Sequence, residues 1–241
     1  MSRNKKNTII FVSAIIILNI FVYNFFNSDS KNSLSLTSQS FSEKTDSYNI
    51  FVEYPQFSHL PKEFNKKIYD LVFQKINDFK KDSLENNKLG ISSNDLKVSG
   101  GDTYFRIGWS PLQLNNQTIS ILIRISSYTG GAHSNHFVET FTYDVQNKKE
   151  ITIGTLFGSV SGYLDRISQF TMNDLKNQMG KDANMDMIGE GTTPEPKNFS
   201  KFTLSSEKTV TFYFPEYQVA PYSSGEWKVV MPISYLINST K

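Results

Sequence analysis

The chain has no cysteine. That absence removes disulfide bridges, thiolate zinc sites, thiol nucleophiles and a lipidated cysteine together. A domain exported to an oxidising space would therefore rest on packing alone. An excess of either charge is also missing, for the formal net charge is only +2. Three of the 25 basic residues, Arg3, Lys5 and Lys6, precede a hydrophobic run, which leaves 22 against 23 acidic side chains in the remainder. So balanced a surface lacks the electrostatic footprint of a nucleic-acid binder. The phosphate-cradling loop, the dinucleotide fingerprint and the Gly-x-Ser-x-Gly elbow of serine hydrolases do not occur either. No cofactor is implied.

What is present begins with Thr8 to Phe26, an uncharged stretch of 19 residues. As a helix rising about 1.5 Å per residue it would cross most of a bilayer's hydrocarbon core, roughly 30 Å thick. Aromatic residues stand where a signal-peptide cleavage site needs small ones, so the segment reads as a retained signal-anchor. The basic flank keeps residues 1–7 in the cytoplasm and sends the rest outward. The expectation is a single-pass protein of the cell membrane, with residues 8–26 in the lipid bilayer. Residues 27–46, rich in Ser, Asn, Thr and Lys, read as a flexible stalk.

From residue 47 onward the hydrophobic pattern changes period. Tyr48 to Tyr54 alternates as a strand, and Leu60, Phe64, Ile68, Leu71, Val72, Ile76 and Phe79 then follow at three- and four-residue steps. That spacing predicts an amphipathic helix from Pro61 to about Leu84. Period two returns in Thr103–Trp109, Ile119–Ile125 and Phe137–Val145, with turn residues between or after them. A second helix starts near Ser161 and stops at Gly180, followed by a loop holding Gly189, Gly191, Pro194 and Pro196. Strands are expected again at 201–204, 209–214 and 226–231. The fold class is α+β: an antiparallel meander sheet packed by two amphipathic helices and preceded by one transmembrane helix.

Two stretches stand out chemically. Tyr128-Thr-Gly-Gly-Ala-His-Ser-Asn-His136 interrupts continuous β-structure, and its paired glycines Gly130 and Gly131 imply positive φ or a close approach. His133 and His136 could ligate a metal or act as an acid/base pair, with Asp102 or Glu139 as a carboxylate partner. The plainer alternative is a polar hairpin whose histidines bond the backbone. The second stretch, Phe212 to Gly225, carries two prolines and an aromatic cluster. Phe212 and Phe214 suit a core, whereas Tyr217 and Tyr222 suit either a core or a rigid contact surface.

In Tyr128-Thr-Gly-Gly-Ala-His133, in Thr155-Leu-Phe157 leading to Tyr163-Leu164, and in Phe214-Pro-Glu-Tyr-Gln-Val-Ala-Pro-Tyr222 with Gly225, the chain resembles the paired domains of unknown function 4163 and 3298. The likeness runs from about Ser47 to Leu236. It implies a 4163-like part at 47–148 and a 3298-like part at 149–241, packed as one unit at the cell envelope. Such pairs form the outer part of an anti-sigma factor that recognises lysozyme, and they precede the catalytic domain of a peptidoglycan deacetylase. Seven residues ahead of Thr8 and an end at Lys241 leave room for neither output. The expectation is thus a non-enzymatic anchored module that binds a lysozyme-like protein or peptidoglycan through Tyr128, Gly130, Gly131, His133, His136, Tyr217 and Tyr222. A metal-dependent envelope hydrolase built on His133 and His136 is the alternative.

Overall fold

A computed structural model describes residues 20–23, 35–88, 103–115, 117–205 and 208–237. The first sheet contains β1 (Ile20–Tyr23), β2 (Leu36–Lys44), β3 (Asn49–Phe57), β4 (Tyr104–Leu114), β5 (Thr118–Tyr128), β6 (Asn135–Asp144) and β7 (Lys149–Glu150), adjacent in that order. Helix α1 (Lys62–Lys88) lies across one face. The chain then forms α2 (Ile153–Phe157), α3 (Tyr163–Met179) and α4 (Met185–Gly191). A second sheet of β8 (Phe202–Leu204), β9 (Thr209–Phe214) and β10 (Trp227–Pro232) follows, with β9 central, and α5 (Ser234–Ile237) ends the described chain. This is an α+β fold with mostly antiparallel strands and several helices.

The hydrophobic periods account for the layers. On α1, Phe64, Ile68, Val72, Ile76 and Phe79 are buried at helical spacing against Ile50, Val52, Phe105, Ile107 and the inward isoleucines of β5. Each such side chain withdrawn from water contributes about 1.5–3 kcal/mol. Strand β5 is buried on both faces: Ile119, Ile121, Ile123 and Ile125 face α1, while Leu122 packs with Val138 and Tyr213 of the second sheet. The second sheet joins α3 in a separate core that includes Ile167, Leu175, Phe212, Phe214, Val229 and Met231.

The meander expectation needs one correction, because β3 and β4 run parallel, with Asn49–Val52 beside Tyr104–Ile107. Period-two alternation carries no information about strand direction. A parallel pair requires a crossover of a dozen or more residues, and α1 lies in that connection. A proline within β4, Pro111, coincides with a slip in the β4–β5 register, where a missing N–H is tolerated.

The stalk is corrected over 36–44, which form β2, a full member of the sheet. Its serines are not a solvated tether: Leu36, Ser38 and Ser40 are buried, and Ser38 Oγ accepts from the Trp109 indole at 3.1 Å. Small polar residues can fill a sheet position when a neighbour satisfies them, so composition alone misleads here.

The anchor segment lies outside the described residues over 8–19 and 24–26. Residues 20–23 are an edge strand antiparallel to Leu36–Gln39, which corrects a helix continuing unbroken through 8–26. Ile, Phe, Val and Tyr are strand formers, and an apolar run does not by itself distinguish helix from strand. Among the described residues no helix is long and apolar enough to cross a membrane. The loop expected after Gly180 contains α4, started by Asn184, whose side chain accepts from the Asp186 and Met187 N–H groups.

Candidate functional site

The two unusual stretches meet. Strand β5 ends at Tyr128 and β6 restarts at Asn135, so Gly130 and Gly131 form the return, with φ of 106° and 109°. Side chains with a Cβ rarely adopt that backbone. The buried Tyr128 hydroxyl donates to the Gly131 carbonyl at 2.9 Å, and Asn86 of α1 donates to the Thr129 carbonyl at 2.7 Å. Both fix the loop from beneath and leave His133 exposed.

The second stretch approaches from β9. Phe212 and Phe214 are fully buried, as are Val219 and Ala220. Gln218 pins the segment between them by donating to the carbonyls of Gly191 and Asn198 at 2.9 and 3.0 Å. Tyr217 is thereby turned outward, 61% exposed and with φ of 69°, a conformation that costs a non-glycine residue about 1 kcal/mol or more. A short helical turn, Tyr222–Ser224, then lays Tyr222 across the first loop.

The contact is specific. His133 and Tyr222 stack with ring centroids 3.6 Å apart and planes inclined by 22°. The Tyr222 hydroxyl donates to the Ser134 carbonyl at 2.7 Å, across 88 residues of sequence. Tyr217 adds a third ring 5.9 Å from Tyr222. The result is an aromatic row, His133–Tyr222–Tyr217, at the junction of the two halves. Nearby, Arg124 of β5 makes a two-pronged bond to Glu226 at 2.7 and 3.1 Å, tying the base of β10 to the first sheet.

The expected site residues therefore divide by role. Tyr128, Gly130 and Gly131 shape the loop, whereas His133, Tyr217 and Tyr222 form the aromatic row. His136 turns to Ser134, with Nε2 and Oγ 2.8 Å apart, and His133 Nδ1 lies 3.0 Å from the Ser134 carbonyl. Each histidine thus meets a different oxygen of Ser134. Glu139 is engaged by Lys201, Asp102 is outside the described residues, and no group of three His, Asp or Glu able to hold a metal occurs among the described residues. What these groups offer instead is an aromatic surface beside a hydroxyl–imidazole pair.

Sequence reasoning missed the part played by β4. Tyr104, Arg106 and Gly108 lie on the sheet face opposite α1, in register with Tyr128, Ser126 and Arg124. Their polar positions in an alternating strand were visible, but only the pairing of β4 with β5, and of β5 with β6, sets them two strands from His136.

Comparison with known proteins gives the lineage. Residues 41–136 match the family described as Deacetylase PdaC, and residues 155–234 match the protein of unknown function DUF3298. The chain is 26% identical over 190 residues to the peptidoglycan-N-acetylmuramic acid deacetylase PdaC of Bacillus subtilis, covering 78% of this chain and 38% of that protein. It is 26% identical over 117 residues to an esterase of Mycobacterium tuberculosis, covering 48% and 50%. It thus spans about two-fifths and one half of these relatives. Crystal structures of DUF3298 family proteins from Bacteroides fragilis and Pseudomonas aeruginosa share the fold, with TM-scores of 0.56 and 0.54 at 17% and 11% identity. They cover 95% and 94% of this chain, and 93% of each of those chains is matched.

These relatives correct one expectation. Relatives 26% identical to parts of this chain are named as a deacetylase and an esterase, so the lack of a familiar catalytic motif does not make the chain a non-enzymatic module. The chain carries, in series, a domain of the PdaC type and a DUF3298 domain.

Proposed function

We propose that the aromatic row His133–Tyr222–Tyr217 is a cell-wall glycan-recognition surface. The single observation behind this reading is the 3.6 Å stack that joins the two motif stretches. A pyranose presents an apolar face of C–H groups and a rim of hydroxyls. Aromatic rings with polar edges match both, at low conformational cost because two of them are already held. The peptidoglycan substrate in the name of the B. subtilis relative supports the same class of ligand.

Calorimetric titration of the protein with soluble peptidoglycan fragments tests the reading. Saturable binding is expected, lost in Tyr222→Ala and weakened in Tyr217→Ala. Unchanged binding in both variants would remove the aromatic row from the site. Capture of a lysozyme in place of glycan would redirect the surface to a protein partner. The reading also sets the domain outside the cell. Protease added to intact cells should then digest it without lysis.

A second reading is favoured by the 2.8 Å contact between Ser134 Oγ and His136 Nε2, a spacing suited to a nucleophile and its base. In acyl hydrolysis Ser134 would attack the acyl carbon while Nε2 takes its proton. Nε2 would return that proton to the departing oxygen or nitrogen, and water would then cleave the acyl-serine. Turnover of an acetyl ester that persists unchanged in Ser134→Ala would end this reading.

A further inference from the structure

The first sheet leaves one step of its β6 edge open where the two halves meet. Hydrogen bonds on both sides of the strand fix which way its backbone groups point. The Val145 N–H donates to the Gln117 carbonyl on the β5 side, and the Thr142 carbonyl accepts from the Ile151 N–H at 2.8 Å on the other. Odd-numbered residues of β6 therefore turn their backbone groups toward β5, and even-numbered ones turn them outward. Strand β7 covers the outward side at Tyr143 and Asp144. After Ile151 the chain leaves the ladder, because Thr152 opens the capping box of α2. The next outward pair, the N–H and C=O of Thr140, meets no strand among the described residues. Farther along, Lys201 reaches round the edge to Glu139, the kind of lysine guard that keeps an exposed strand from pairing at large. The opening is confined to one step.

Two cavities flank that step, one on each face of the sheet. The first, of about 550 Å³, lies between β6 and α1, and the second, of about 460 Å³, lies between β6, the start of α2 and the short turn Pro196–Phe199. Thr140, Glu150 and Ser200 line both. A strand projects successive side chains to opposite faces, so an extended peptide laid beside Thr140 would put neighbouring side chains into the two cavities in turn. Their chemistry differs. In the first, Lys66, Lys67 and Lys201 are each paired, with Asp70, Glu150 and Glu139, and Glu63 is left with no ion pair among the described residues. The second is walled by Ile153, Pro196 and Phe202 beside the neutral Thr142 and Tyr163. One cavity suits a cation, the other an apolar group.

We infer that the open step at Thr140 accepts an extended segment of another polypeptide as an added strand. A basic side chain of that segment enters the cavity against α1, toward Glu63, and the adjacent apolar side chain enters the cavity against α2. Main-chain bonds to Thr140 supply the pairing, and the two cavities supply the choice of side chains. The interaction is separate from the aromatic row, which lies at the Asn135 end of β6, about 17 Å from Thr140 at the rise of an antiparallel strand.

The experiment titrates the full chain with a blocked heptapeptide of alternating valine and lysine, followed by fluorescence anisotropy. Saturable binding is expected. Methylating alternate amides of the peptide should weaken binding about tenfold for one of the two possible sets and leave the other nearly unchanged, because one set of N–H groups faces β6 and the other faces away. A peptide of the same composition with its lysines grouped at one end should also bind about tenfold more weakly. Replacing the lysines by glutamates should weaken binding by about two- to fivefold, a difference that Glu63→Gln removes. Ser200→Trp, at an exposed position shared by both cavities, should abolish binding while the circular dichroism stays that of the parent. No binding of the alternating peptide, or equal tolerance of both methylated sets, would overturn the inference. Undiminished binding to a folded Ser200→Trp protein would overturn the assignment to this edge.

Discussion

Glu43, Tyr48 and Lys80 show how single residues weld β2 to the rest. The Glu43 carboxylate accepts from the Tyr48 hydroxyl at 2.7 Å and from the Lys80 ammonium at 2.6 Å. Burial raises the Glu43 pKa, but the bonds from Lys80 and Tyr48 together with the lysine charge outweigh it and leave the group below its ordinary value. Its contribution is present above the unfolded-state pKa and is lost as pH falls toward the folded one. Burial first, and then the bond and charge of Glu43, push Tyr48 up to about 12 from an ordinary 10.0. That contribution is complete below pH 10 and disappears as pH rises through 12. Glu43→Gln should remove the acid-side loss of stability and bring the tyrosinate absorbance titration of Tyr48 back toward its ordinary range. Superimposable tyrosinate curves for variant and parent would show that the carboxylate does not govern Tyr48.

Gly191 is a residue-scale constraint on the candidate site. A Cβ there would stand 2.0 Å from the Gln218 carbonyl oxygen and 2.8 Å from Val219. Gly191→Ala should push the Pro215–Ala220 segment outward, weaken glycan binding through Tyr217, and destabilise the protein by about 1–3 kcal/mol, the usual cost of overpacking. Chemical denaturation and the same glycan titration read both effects. A variant of parental stability and affinity would mean that the segment is free to shift.

Among elements, β2 has the clearest test. In a flexible stalk Leu36 would be inert, but in the sheet it is buried beside Phe57. Leu36→Ala should lower the unfolding free energy by about 2–5 kcal/mol, as measured by urea denaturation. Leu84→Ala on the exposed side of α1 should change it by no more than about 0.5 kcal/mol. Elements with a strong apolar period were legible in the sequence: α1, α3, the three strands β4 to β6, and β8 to β10. Those that escaped depend on information a local window does not hold. Strand β2 hides its period in serines, of which Ser38 is satisfied by Trp109, α4 rests on a cap at Asn184, and the parallel β3–β4 pair depends on where α1 returns the chain. The site was legible to the same extent. Both motif stretches stood out by composition, yet nothing local to either predicts that Tyr222 would lie on His133.

At the scale of the molecule, two separate hydrophobic cores are joined through a narrow polar and aromatic seam. Ser120 Oγ accepts from the Leu204 N–H at 2.9 Å and pairs with Thr142 at 3.0 Å, while the Phe202 N–H donates to Thr140 Oγ1 at 3.0 Å. Tyr213 inserts between the halves, packed on Leu122 and Val138 with its hydroxyl 3.2 Å from Thr203. The aromatic row draws His133 from one side of this seam and Tyr217 and Tyr222 from the other. Anything that loosens the seam must therefore disturb the row, even without touching it. Tyr213→Ala should cost about 3–5 kcal/mol and divide one calorimetric unfolding transition into two. It should also weaken glycan binding, although Tyr213 does not line the row. Because ligand binds only the joined state, saturating glycan should draw the two transitions of the variant back together. A Tyr213→Ala protein that unfolds in a single step and binds as the parent does would show that the halves are held by something other than this seam.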